Sequence, residues 1–143
     1  MSDPARHLEV IYCDDIREEV GGKISLMGIY TGDMIVSSMP LLLPKLCITV
    51  NAVTPIGDPL QTLCINIYKE GVTEPIISTG VIPIPDTPHD NNSVWQAVNM
   101  VFALTPFQID EETRLRVAAD TENGQIIGRS LRIIRASAAE VVH

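Results

Sequence analysis

A group of carboxylates near the start of the chain is the first feature that could do chemistry. Its members are Asp14, Asp15, Glu18 and Glu19. Calcium binds oxygen ligands of this kind, about six to eight of them, and Asp33 and Asp120 could add to the set. In an extended strand, however, adjacent side chains point to opposite faces, and the aspartate and glycine spacing of a calcium loop is absent. We therefore expect a solvated acidic hairpin, and a calcium-dependent binding module is the alternative hypothesis.

The residues of a nucleophile-and-base site are not grouped in the sequence. The three histidines lie apart: His7 near the start, His89 in a polar loop and His143 at the last position. The sequence contains no GxSxG nucleophile elbow and no phosphate-binding glycine loop. We therefore expect a protein that is not an enzyme and has no cofactor, and an enzyme of unknown type is the third hypothesis.

Arginine side chains near the end of the chain could bind the carboxylates of a partner. Arg114 and Arg116 alternate with Leu115 and Val117, so a strand would place both guanidinium groups on one outer face. Guanidinium groups bind carboxylates well, often through two hydrogen bonds. The partner could be another copy with its acidic hairpin; alternatively, this is a solvated face with cross-strand pairs to Asp120 or Glu122.

An apolar segment runs from Met34 to Leu46 and is interrupted by Pro40 and Pro44. Its central residues are Leu41, Leu42 and Leu43. Proline cannot donate to a strand ladder, so we expect these leucines to pack over an open sheet edge or against another chain. With the four carboxylates and the two arginines, they form the predicted protein-binding surface, and the opposite charges predict a homo-oligomer.

Composition limits the partners. Ten Lys and Arg against eighteen Asp and Glu give a net charge of −8 over 143 residues, which disfavours binding to nucleic acid or to an anionic membrane. The apolar segment is too broken by proline to span a bilayer, and the start of the chain lacks a signal-peptide pattern. Cys13, Cys47 and Cys64 are unpatterned, so we expect reduced, buried thiols in a cytoplasmic protein.

Alternating apolar residues predict strands throughout the chain. Examples are Leu8, Val10 and Tyr12 in the first strand and Leu46, Ile48 and Val50 in a later one. Gly21-Gly22 and Asn123-Gly124 are typical of hairpin turns, and the prolines of segment 81–85 indicate a sheet edge. We predict one all-β domain over residues 1–143, an antiparallel β-sandwich (immunoglobulin-like or related) of about eight strands. Trp95 should anchor its packing, and residues 138–143 should form a short tail.

Two blocks of the sequence carry a family resemblance. They are "YCDDIREEVGGKISLMGIYTGDMIV" and "FALTPFQIDEETRLRVAADTENGQIIGRSLRI". From about Leu8 to Arg135 the chain resembles a family of small bacterial and bacteriophage proteins that begin with an aspartate-rich hairpin. The resemblance implies a single sandwich domain of microbial or phage origin and carries no known activity. It favours a non-enzymatic virion or accessory component, or an inhibitor of a host protein, located in the bacterial cytoplasm or the phage particle.

Overall fold

The computed structural model describes residues 5–86 and 92–137. In these residues every regular element is a strand, so the predicted all-β class is confirmed. The strands are β1 His7–Glu18, β2 Ile24–Ile29, β3 Met34–Val36, β4 Leu41–Leu43, β5 Leu46–Pro55, β6 Thr62–Lys69, β7 Ile77–Ser78, β8 Ile82–Pro83, β9 Trp95–Leu104, β10 Phe107–Ile109, β11 Thr113–Thr121, β12 Gly124–Ile127 and β13 Leu131–Arg135. They outnumber the predicted eight because several contain only two or three residues. The predicted tail, residues 138–143, lies outside the described residues, as do His89 and His143.

The first sheet has the strand order β2-β1-β5-β9, and all its pairs are antiparallel. The predicted hairpin connects β1 to β2, with Glu18 opposite Ile24. Gly21 and Gly22 form its turn at φ angles of +90° and +76°, where a side chain is strained. The turn is closed by a hydrogen bond from the Glu19 N–H to the Lys23 carbonyl (2.8 Å).

The second sheet has the order β3-β13-β11-β6-β7, with β12 also pairing β11 and β8 pairing β6. The hairpin predicted at Asn123-Gly124 joins β11 to β12. The prolines of segment 81–85 lie at a sheet edge, as predicted. One pair, β3 with β13, is parallel.

A separate two-stranded sheet, β4 with β10, follows the β5–β9 pair of the first sheet. Leu46 lies opposite Leu104 where β5 pairs β9, and Leu43 lies opposite Phe107 where β4 pairs β10. Pro44 and Pro106 lie between the two parts, where a missing N–H interrupts the ladder. Past the bend Phe107 is buried, so β10 closes one end of the core.

The core lies between the two sheets. The first sheet contributes inward residues of β1 and β5, among them Tyr12, Ile48 and Val50. The second contributes residues of β6, β11 and β13, among them Ile65 and Leu115. The alternation therefore predicted the inward faces correctly, and the two sheets form a sandwich. The described residues contain no helix long and apolar enough to cross a membrane.

Candidate interaction surface

The predicted carboxylates do not converge. The Tyr30 hydroxyl donates to Asp14 (2.5 Å), and Lys45 pairs with Asp15 (3.0 Å). The hydrogen bond from Lys45 holds the pKa of Asp15 below its usual value. Beside the turn Glu18 is exposed and Glu19 is partly exposed. The side chains of β1 alternate between faces, so Asp14 and Asp15 have different surroundings.

The other two aspartates considered as calcium ligands also have protein partners. Arg132 donates to Asp33, which lowers the pKa of that carboxyl group. Asp120 accepts from the side-chain amides of Asn66 (3.1 Å) and Gln125 (3.2 Å). Within residues 5–86 and 92–137, no three His, Cys, Asp or Glu side chains are grouped so as to hold a metal ion.

The predicted arginines lie on the outer side of the second sheet, and both are exposed. The Arg116 guanidinium lies over the Tyr68 ring (5.0 Å to the centroid), and Arg114 is 3.9 Å from a carboxylate oxygen of Glu70. The cross-strand ion-pair partner of Arg114 is thus Glu70, instead of the expected Asp120 or Glu122. The outer side of the second sheet is therefore polar, and its two arginines contact Tyr68 and Glu70 of the same molecule.

The three predicted leucines form β4, and they divide between its two sides. Leu41 and Leu43 are partly buried and pack against the core, because β4 pairs with β10 at the end of the sandwich. Leu42 points the other way and is 56% exposed. Only Leu42 is therefore placed to contact a partner without unfolding this end of the core.

The outer side of the first sheet is apolar, which the sequence did not predict. We call it the outer apolar face and define it by Ile11, Cys13, Met27, Ile29, Cys47, Thr49, Val101 and Ala103. The strand register places Ile29, Cys13, Cys47 and Ala103 in one row across all four strands. Ile11, Thr49 and Val101 form the next row.

Polar pairs border this face on two sides. The Asp15–Lys45 ion pair lies beyond the row of Cys13. On the opposite side the Asn99 amide donates to Asn51 (2.7 Å). Near the second border Trp95, which we expected to anchor packing, is 44% exposed and makes an edge contact with the His7 ring, so its packing is at the surface. An apolar area with a polar rim is typical of a protein-binding surface.

The cysteines at the centre of this face are unreactive. All three cysteines are buried free thiols, as predicted, but Cys13 and Cys47 are register partners on the outer side of the sheet. Burial raises the pKa of both thiols. They therefore remain protonated at neutral pH and pack as small apolar side chains beneath the exposed members of this face.

An ion-pair network around the Arg6 side chain, which is 8% exposed, lies at the N-terminal end of β1. The Arg6 side chain donates to the Pro59 carbonyl (2.7 Å) and pairs with Asp58 and Glu122. Glu122 also accepts from the main-chain N–H groups of Gln61 (2.9 Å) and Thr62 (3.1 Å). No sequence pattern indicates this network, because its members come from distant segments. It joins the chain before β1 to the β11–β12 turn.

Comparison with known proteins gives a family and no activity. No curated protein and no solved structure is significantly similar to this chain. A family model, described as a family of unknown function (DUF6941), matches residues 9–134. This range includes both sheets and both hairpins that the sequence predicted. The chain therefore belongs to this family of unknown function.

Proposed function

We propose that the chain is a non-enzymatic protein that binds a protein partner through its outer apolar face. The observation that carries this proposal is the exposure of that face: Ile29 and Val101 are each 48% exposed on strands at opposite edges of the sheet. Removing such side chains from water is favourable by about 25 cal/mol per Å² of apolar surface, and the costs of association are subtracted from this gain. The polar border fixes the limits of the contact.

The chemistry of the described residues supports a binding role over catalysis. The Cys13 and Cys47 thiols are protonated and buried. The carboxylates of Asp15 and Asp33 are ion-paired within the molecule. A general base or nucleophile must reach a substrate with an available lone pair. The two thiols are buried, and the two carboxylates are held by Lys45 and Arg132.

The biological setting follows from the resemblance of the acidic hairpin. We place the protein in bacteria or bacteriophage, as a virion or accessory component or as an inhibitor of a host protein. It would then act in the bacterial cytoplasm or in the phage particle. Membership of a family of unknown function is compatible with this setting.

Affinity capture with a face variant tests the proposal. Ile29→Asp places a charge on the outer apolar face, and Val81→Asp places the same charge at a residue that is 74% exposed on another part of the surface. From infected and uninfected bacterial lysates, the wild type and Val81→Asp should retain the same protein, and Ile29→Asp should lose it. Retention by all three proteins, or by none, would contradict the proposal.

A further inference from the structure

Strand β9 forms an unusual edge of the first sheet. It contains ten residues, Trp95–Leu104, and none of them is charged. Among the described strands only β5 pairs with it. Natural edge strands are usually kept short or carry lysine, proline or a bulge, since an open edge can pair with another chain. The sequence of β9, WQAVNMVFAL, contains neither lysine nor proline.

The other edges in the described residues have these protections. At the edges of the second sheet, β3 has three residues, β12 has four, and β7 and β8 have two each. One of the two residues of β8 is Pro83. At the far edge of the first sheet, β2 has six residues and contains Gly28 at a φ angle of +70°. A residue in this left-handed region departs from the extended strand conformation. Only β9 is therefore both long and regular.

The main-chain groups of β9 alternate between β5 and the open side. The Ile56 N–H donates to the Val94 carbonyl (3.0 Å), which sets the phase of the antiparallel ladder. From this phase and the register, the even-numbered residues bond to β5. The residues whose N–H and C=O groups point to the open side are Trp95, Ala97, Asn99, Val101 and Ala103. Their side chains are all exposed.

We propose that β9 pairs antiparallel with β9 of a second copy, about a two-fold axis at Asn99. Such pairing satisfies the same edge in both copies and joins the two four-stranded sheets into one. The register centred on Asn99 includes the whole strand. It sets Trp95 opposite Ala103 of the second copy and Ala97 opposite Val101, so that a large side chain meets a small one in each pair.

Charge and chemistry favour a second copy as the occupant. Each copy carries a net charge of −8, so repulsion between two copies is weakest where no carboxylates face each other. Strand β9 meets this condition. At the axis Asn99 lies opposite its own equivalent. One hydrogen of its amide is used by Asn51 (2.7 Å), and an amide has a second hydrogen and an oxygen for further hydrogen bonds. On the inner side Val98, Met100 and Phe102 are only partly buried, and a second copy would cover them further.

The dimer does not depend on the proposed partner of the outer apolar face, because it concerns the edge of the sheet and needs only the purified protein.

A charge placed at the two-fold axis tests the proposed dimer. Asn99→Asp and Asn99→Lys each set like charges directly opposite one another, which is destabilising in a sheet. Each variant alone should dimerise at least about tenfold more weakly than the wild type. In an equimolar mixture the charges are complementary, so the mixture should recover the dimer.

Sedimentation of the purified proteins distinguishes the outcomes, with circular dichroism to check that each variant is folded. Val20→Lys, at a residue that is 94% exposed in the first hairpin, is the control for added charge and should dimerise like the wild type. Ala97→Pro, which removes one N–H from the open side and none from the β5 ladder, should be monomeric. A monomeric wild type, a mixture that stays monomeric, or open-ended assemblies formed by β9 with β2 of another copy would each overturn the proposal.

Discussion

At the residue scale, Glu122 is the most constrained carboxylate in the described part of the chain. Burial alone would raise its pKa, but the hydrogen bonds from the Gln61 N–H, the Arg6 guanidinium and the Thr62 N–H outweigh that effect. Together they lower the pKa of Glu122 from 4.5 to about 2. The folded state therefore stabilises the ionised carboxylate of Glu122 more than the unfolded chain does.

This difference predicts a loss of stability in acid. The contribution of Glu122 is fully present above the unfolded pKa of 4.5 and is lost as the pH falls toward 2. Glu122→Gln should lower the free energy of unfolding at neutral pH by about 1–3 kcal/mol, the value of a hydrogen bond to a charged group. It should also reduce the loss of stability between these pH values. Urea unfolding over a pH series measures both effects.

The matched control for this prediction is Glu74→Gln, on an exposed loop. It should leave the free energy of unfolding within about 0.5 kcal/mol of the wild type. Equal pH profiles for Glu122→Gln and the wild type would show that the network around Arg6 does not carry the acid dependence.

At the element scale, the β1–β2 hairpin depends on two left-handed residues. Gly21 and Gly22 have positive φ angles, and an added Cβ at either residue would meet no atom within 4 Å. The cost of a side chain there is therefore conformational, about 1–2 kcal/mol per residue. Replacing both residues by Val should lower the melting temperature by several degrees, which heat denaturation followed by circular dichroism would detect.

Gly32→Val is a matched control, because Gly32 also has open space around its Cα and its φ angle is not positive. This variant should melt close to the wild type. If the double variant has the same melting temperature as Gly32→Val, the turn tolerates side chains and the hairpin does not depend on Gly21 and Gly22.

Also at the element scale, the sequence predicted the faces of the long strands but not their neighbours. The alternation of β1 and β5 placed Tyr12, Ile48 and Val50 in the core, where the structure has them. The same alternation places Cys47 on the outer side of β5, where the register pairs it with Cys13. Strand order depends on pairing between distant segments, so no local pattern could show that β9 is an edge.

At the scale of the whole molecule, the charges of the first and last hairpins are partly neutralised within one copy. Lys45 pairs with Asp15 of the first hairpin, and Arg114 of β11 is 3.9 Å from a carboxylate oxygen of Glu70. The sequence predicted that such charges would join two copies. The contact that we propose uses β9, which has no charged residue. A contact between charged hairpins and a contact through β9 should respond oppositely to salt.

A dimer formed through β9 should become tighter as salt is added. Two copies with a net charge of −8 each repel one another, and salt screens that repulsion over a Debye length of about 8 Å at physiological ionic strength. A contact between the acidic and arginine-bearing hairpins would instead weaken, because salt screens attraction. Sedimentation equilibrium at several sodium chloride concentrations gives the sign of the change, and weakening would favour the hairpin contact.

Amide hydrogen exchange along β9 tests most directly whether this edge is paired. In the wild type at a concentration where it is dimeric, the N–H groups of Ala97, Asn99 and Val101 should exchange as slowly as those of Val98 and Met100, which bond to β5. Dilution, or Asn99→Lys, should accelerate the first three and leave the other two unchanged. Rapid exchange of the odd-numbered amides at every concentration would contradict the account, since it would leave β9 open to water.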